Sequence, residues 1–177
     1  LSSTSHCFVN RLRPLCIHAD YLVLALPYAN STDNDETTFA IEIFKSAFNR
    51  PQGFSPIQEV ELHFAVKHAN NIRQIDNIID SIAYDLRQVL PVGSRVRICA
   101  RTRFLSRILV AGSLTTSEGQ KICVPRWVID MGHVATPTDH RADTSVWSLL
   151  LKDAVAANAK KYNTASNDIV HTKTMQL

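Results

Sequence analysis

The residues best placed to do chemistry in this chain are four closely spaced arginines. Residues 94–104 read Ser-Arg-Val-Arg-Ile-Cys-Ala-Arg-Thr-Arg-Phe. Side chains alternate across a strand, so a strand here projects Arg95, Arg97, Arg101 and Arg103 from one face, with Cys99 interrupting the row. Val96, Ile98, Ala100 and Phe104 take the other face. At a rise of about 3.3 Å per residue the guanidinium groups span roughly 25 Å. Each is a planar fork that pairs bidentately with phosphate or carboxylate, so the chemistry is anion recognition.

The surrounding charge sharpens this reading. Residues 87–126 hold eight basic side chains, including Arg107, Lys121 and Arg126, against one acid, Glu118, for +7. With +3 overall, the rest of the chain carries −4. Such an asymmetry favours an anionic partner, whether RNA phosphates, an anionic lipid surface or an acidic protein. The expected anion-binding set is therefore Arg95, Arg97, Arg101, Arg103, Arg107, Lys121 and Arg126.

A competing use of the row lies nearby. Residues 58–68 alternate, with Val60, Leu62, Phe64 and Val66 on one face and Glu59, Glu61, His63 and Lys67 on the other. If this strand flanks the arginine strand, Glu59 and Glu61 pair with Arg95 or Arg97 across the sheet, for ~0.2–1 kcal/mol each. Two acids do not neutralise four arginines. The row thus reads as a binding face, a partly paired solvated face, or a buried network or subunit interface.

The elements that position these residues follow from periodicity. Residues 20–28 form a short apolar strand closed by Pro27. Residues 38–50 fit either a strand (Phe39, Ile41, Ile43) or a helix (Phe39, Ile43, Ala47 with Ala40, Phe44, Phe48). A long helix over about 71–90 carries Ile72, Ile75, Ile79, Ile82, Leu86 and Leu90 at spacings of three and four, capped by Asn70 or Asn71 and stopped by Pro91 and Gly93. Strands over 95–104, 106–115 and 121–130 are expected to form an antiparallel meander, the last two joined by a turn at 116–120. A second helix is expected at about 144–161, with Trp147, Leu150, Leu151, Ala154 and Val155 as its apolar stripe.

The expected fold is α+β, a mainly antiparallel sheet of about five strands with both helices on one face and the arginine row on the other, open face. Residues 1–19 read as a basic arm, or the end of an organellar transit peptide. Residues 20–162 read as one domain and 163–177 as a flexible tail.

Other chemistries find little support. At 177 residues, 45% hydrophobic and 20% charged, the composition is that of a globular domain. The chain has no apolar run of 18 residues, so integral membrane insertion is not expected. There is no G-x-S-x-G and no Gly-rich phosphate loop. His6, Cys7, Cys16 and His18 lack the spacing of a zinc module, and His133, His140, Asp139 and Asp143 read as a solvated loop. Asp76 and Asp80 share a helix face but read as solvated, not as an acid–base pair. Of the four cysteines, Cys99 and Cys123 sit in apolar segments and read as buried free thiols. The sequon Asn30-Ser31-Thr32 matters only in a secreted chain. No metal, cofactor or catalytic residue is assigned, and the expectation leans away from an enzyme.

The order strand, helix, basic strand and meander, with the stretch Arg103-Phe-Leu-Ser-Arg-Ile-Leu-Val-Ala-Gly-Ser113, resembles the core of matrix proteins of negative-strand RNA viruses. The resemblance is one of pattern and transfers no residue roles. It implies a protein that coats nucleocapsids and lines membranes by self-association. The expected function is accordingly a non-enzymatic structural or binding protein that docks its arginine face on an RNA backbone, a nucleocapsid or an anionic membrane, and forms a homo-oligomer or larger assembly. An intracellular, virion or organellar setting is favoured over secretion. The alternatives are a protein-only interaction module with internally paired arginines, and an enzyme acting on a phosphate-bearing substrate.

Overall fold

The computed structural model describes residues 13–14, 16–26, 35–66, 71–103, 108–130, 148–149 and 167–177. In chain order the elements are β1 (Tyr21–Leu26), α1 (Asp35–Phe48), β2 (Glu59–Ala65), α2 (Ile72–Arg87), β3 (Arg95–Arg101), β4 (Ile108–Ser117), β5 (Gln120–Asp130), β6 (Ser148–Leu149) and β7 (Ile169–Gln176).

The fold is α+β, built on one mixed sheet of seven strands in the order β6-β5-β4-β1-β2-β3-β7. Its centre is parallel: β1 pairs with β2, and β2 with β3. A parallel neighbour demands a crossover, and α1 and α2 supply the two. Two crossovers of the usual hand stepping in the same direction place both helices on one face. Accordingly Ala40, Ile43, Phe44 and Ala47 of α1 and Ile75, Ile78, Ile79, Ile82 and Leu86 of α2 share one core with Leu22, Leu24, Val60, Leu62, Phe64, Val96, Ile98, Leu109 and Ala111.

The segment that read equally as strand or helix is thus a helix, because only the spacing of three and four puts its apolar residues on one side. In α2, the Asn71 side chain caps the start by accepting from the Gln74 backbone N–H at 3.1 Å. Leu90 is buried just past its end, whereas Ile72 is exposed.

Three expectations need correction. Most strand pairings are antiparallel as expected, but the sheet has seven strands, its centre is parallel, and β3, β4 and β5 do not form a meander: β4 pairs with β1 and β5, and only β4–β5 is a hairpin. Its two-residue turn, Glu118-Gly119, has positive φ at both positions, the twist that suits a right-handed ribbon. The residues read as a tail contain β7, which pairs antiparallel with β3. Within the expected C-terminal helix, Ser148 and Leu149 pair with β5 as β6; its other residues lie outside those described. So do residues 1–12, the sequon and residues 131–143.

The face opposite the helices is not open either. It carries a second apolar cluster of Tyr21, Val23, Ala25, Ala65, Val110 and Val128. The alternation in β2 therefore separates two buried environments, one apolar throughout and one mixed with charge. No helix among the described residues is long and apolar enough to cross a membrane.

Candidate functional site: an arginine network across three strands

The arginine row does lie on the face away from the helices, as its alternation requires. Parallel register places Glu59 beside Arg95, Glu61 beside Arg97, His63 beside Cys99 and Ala65 beside Arg101. The cross-strand pairing weighed from sequence is therefore built into the register. Glu61 Oε1 accepts from Arg97 Nη1 at 2.7 Å, and Glu59 stands 3.8 Å from Arg95.

A third acid comes from a residue that periodicity did not single out. Asp168, in the turn entering β7, accepts from Arg101 Nη1 at 2.8 Å and pairs with Arg103 Nε at 3.1 Å. Between the two acids sits His63. Its Nε2 lies 3.2 Å from Glu61 Oε2, and its Nδ1 accepts from Arg101 Nε at 3.0 Å. The result is one continuous chain: Arg97, Glu61, His63, Arg101, Asp168, Arg103.

Burial differs sharply along the row. Arg101 is 0% exposed, Arg97 23%, Arg103 42% and Arg95 51%. A guanidinium cannot shed its proton, so one placed wholly inside requires a counter-charge and filled donors. Asp168 supplies the counter-charge, and His63 accepts from Nε. Of the remaining expected residues, Arg126 is exposed on β5; Arg107 and the side chain of Lys121 lie outside the described residues.

The hydrogen bonds fix the protonation pattern. An arginine N–H can only donate, so His63 Nδ1 is bare and the proton of the neutral ring sits on Nε2, aimed at Glu61. Burial pushes the His63 pKa below its ordinary value, with Glu61 opposing and Arg101 and Arg97 adding to the shift. Cys99, a buried free thiol in the row, is pushed up by burial, while the hydroxyl of Thr172, 3.7 Å away, acts in the opposite sense.

Asp76 and Asp80 each have a partner on β7 and are not simply solvated. Asp76 lies 2.8 Å from His171 Nε2, and Asp80 accepts from Lys173 Nζ. Both pairs tie β7 to α2 on the helix-covered face, while Asp168 ties its start to β3 on the other. Among the described residues no group of three or more His, Cys, Asp or Glu is placed to hold a metal ion.

The signal that could have found Asp168 is the alternation of Ile169, His171, Lys173 and Met175 with Val170, Thr172, Thr174 and Gln176. A strand there brings the preceding acid to the end of the arginine row. A scan of protein-family models found no match for the chain, and a search of curated proteins found none.

Proposed function

We propose that the domain is a non-enzymatic protein-interaction module whose arginines are paired internally. The observation that carries this reading is the pairing of the row with Glu59, Glu61 and Asp168, with Arg101 wholly buried. A face meant to grip phosphates keeps its guanidinium forks free, and here Arg97 and Arg101 are committed to carboxylates. One exposed surface open to such contacts lies on β5. Val124 and Trp127 are 41% and 40% exposed there and flank the exposed Arg126. Tryptophan and arginine anchor protein interfaces more often than other residue types.

A second reading keeps the anionic partner. Arg95 and Arg103 retain about half of their side-chain exposure, and Arg126 is exposed. Together with Arg107 and Lys121 they would give a sequence-tolerant contact with RNA or an anionic membrane, within which a matrix-like assembly belongs.

Filter binding to single-stranded RNA and flotation with phosphatidylserine vesicles, across a salt series, separate the two. Internal pairing predicts no retention above a neutral control and no difference for Arg95→Glu/Arg103→Glu. Retention that falls steeply with salt and is lost in that variant overturns the first reading and establishes the second.

A further inference from the structure

The outer edge of β7 closes one side of the sheet. Leu177 donates its N–H to the carbonyl of Ser94 and accepts from the N–H of Gly93, so its backbone groups point toward β3. Alternation then turns those of Met175 and Lys173 the same way. The N–H and C=O of Thr172, Thr174 and Gln176 point outward, where none of the described residues pairs with them. Their side chains are exposed and uncharged.

Edge strands are usually guarded by a charge, a proline or a bulge. The only irregularity in β7 is at its start, where the register shifts between Ala100 and Arg101. Its two basic residues do not guard the edge. His171 and Lys173 lean onto α2, His171 Nε2 lying 2.8 Å from Asp76 and Lys173 Nζ pairing with Asp80. What is left on the face away from α2 is Thr172, Thr174 and Gln176, all exposed and uncharged and the first two β-branched.

We propose that this edge pairs with the same edge of a second copy of the chain, antiparallel about a two-fold axis at Thr174, making one continuous sheet across the dimer. The proposal rests on the protein-interaction reading above and names its partner. The charge of Lys173 disfavours one neighbouring register. With the axis at Thr174, Thr172 faces Gln176, Lys173 faces Met175, and no cation opposes a cation. Moving the axis to Lys173 sets lysine against lysine; like charges directly opposite are unfavourable. The outward groups of Thr172, Thr174 and Gln176 then make roughly six inter-chain backbone hydrogen bonds. A closed two-fold contact also uses up the edge, so assembly stops at the dimer.

Light scattering on a sizing column over a concentration series, with amide hydrogen exchange, tests this on the full chain. The expected result is a concentration-dependent dimer in which the Thr172, Thr174 and Gln176 amides are protected. Thr174→Pro removes only an outward N–H, a change that edge strands accept, and is expected to be monomeric with those amides exchanging fast. Should proline disturb folding, Thr174→Lys places two cations on the axis and is expected to give a folded monomer at low salt. A wild-type monomer at every concentration, or a dimer that survives both substitutions, overturns the proposal. Trp127→Ala is expected to leave the dimer intact. The RNA and vesicle assay is scored separately, so failure of the edge is distinguishable from failure of the interaction reading.

Discussion

Arg101 Nε donates to His63 Nδ1 at 3.0 Å, and both side chains are fully buried. A protonated His63 would set N–H against N–H at this contact, so the network holds only with the imidazole neutral. Burial keeps the folded pKa below the ordinary value near 6.5. The unfolded chain takes up a proton near that value, and the folded chain only at lower pH. Across that window the unfolded state binds more protons, so stability rises with pH and is lost on acidification. Urea unfolding between about pH 5 and 7.5 is expected to show this slope. His63→Gln keeps an acceptor for Arg101 and a donor for Glu61 but does not titrate. It is expected to flatten the slope, and an unchanged slope would assign the effect to another group.

The row's arginines are expected to differ greatly in what their removal costs. Arg101→Ala leaves Asp168 and His63 facing a buried void in charge, for a loss on the order of 3–5 kcal/mol. Arg95 is half exposed and 3.8 Å from Glu59, so Arg95→Ala is expected within about 1 kcal/mol of wild type. Denaturant unfolding of both, with Asp168→Ala completing a double-mutant cycle with Arg101, gives the comparison. A coupling energy below about 0.5 kcal/mol would remove Asp168 from the network.

How the sequence carried this arrangement depended on the range of the signal. The α2 stripe and the alternation of β2 and β3 are local, and they placed the arginines on one face beside Glu59 and Glu61. Which strands become neighbours is not local. The parallel order rests on 38–50 being a helical crossover, and that segment matched both periods. The apolar run of β1 marks a strand buried on both faces, and its burial is unbroken, but the run alone does not tell which strands are its neighbours. β7 was hidden for a different reason. An edge strand has one pairing neighbour, and its exposed Thr172, Thr174 and Gln176 with the paired His171 and Lys173 read as a polar tail. Missing β7 also meant missing Asp168, so the row looked under-neutralised and its face looked open.

Gly112 is required by the ring beside it. It stands opposite Tyr21 at the register shift between Ala111 and Gly112. A Cβ there would lie 2.3 Å from Tyr21 Cε1 and 2.4 Å from the Val124 carbonyl oxygen. Gly112→Ala is expected to destabilise by about 1–3 kcal/mol. Adding Tyr21→Ala removes only the ring contact, because the second clash is with backbone. Thermal unfolding of the double variant is therefore expected to fall below that of Tyr21→Ala alone; equality would mean the β4–β5 bulge adjusts freely.

Arg50 acts as a clamp on the entry to β1. Its Nε donates to the Ala47 carbonyl at 3.0 Å, its Nη2 to the carbonyls of Cys16 (2.8 Å) and Ala19, and its Nη1 to that of Ser55. One rigid fork thus joins the end of α1 to the segment that precedes β1 and to the loop that follows the helix, a geometry that a lysine ammonium cannot reproduce. Arg50→Lys is expected to cost about 1–3 kcal/mol. The thiol of Cys16 reports on the clamp, because burial pushes its pKa up to about 12 and leaves almost no thiolate in the native state. In the wild-type protein Cys16 and Cys99, both buried, are expected to alkylate only as fast as the chain opens. In Arg50→Lys the segment around Cys16 loses its tether while β3 keeps both neighbours. Cys16 is then expected to label several-fold faster than Cys99 when the two are followed by peptide mapping. Equal acceleration at both thiols would mean that Arg50 sets global stability and holds no local clamp.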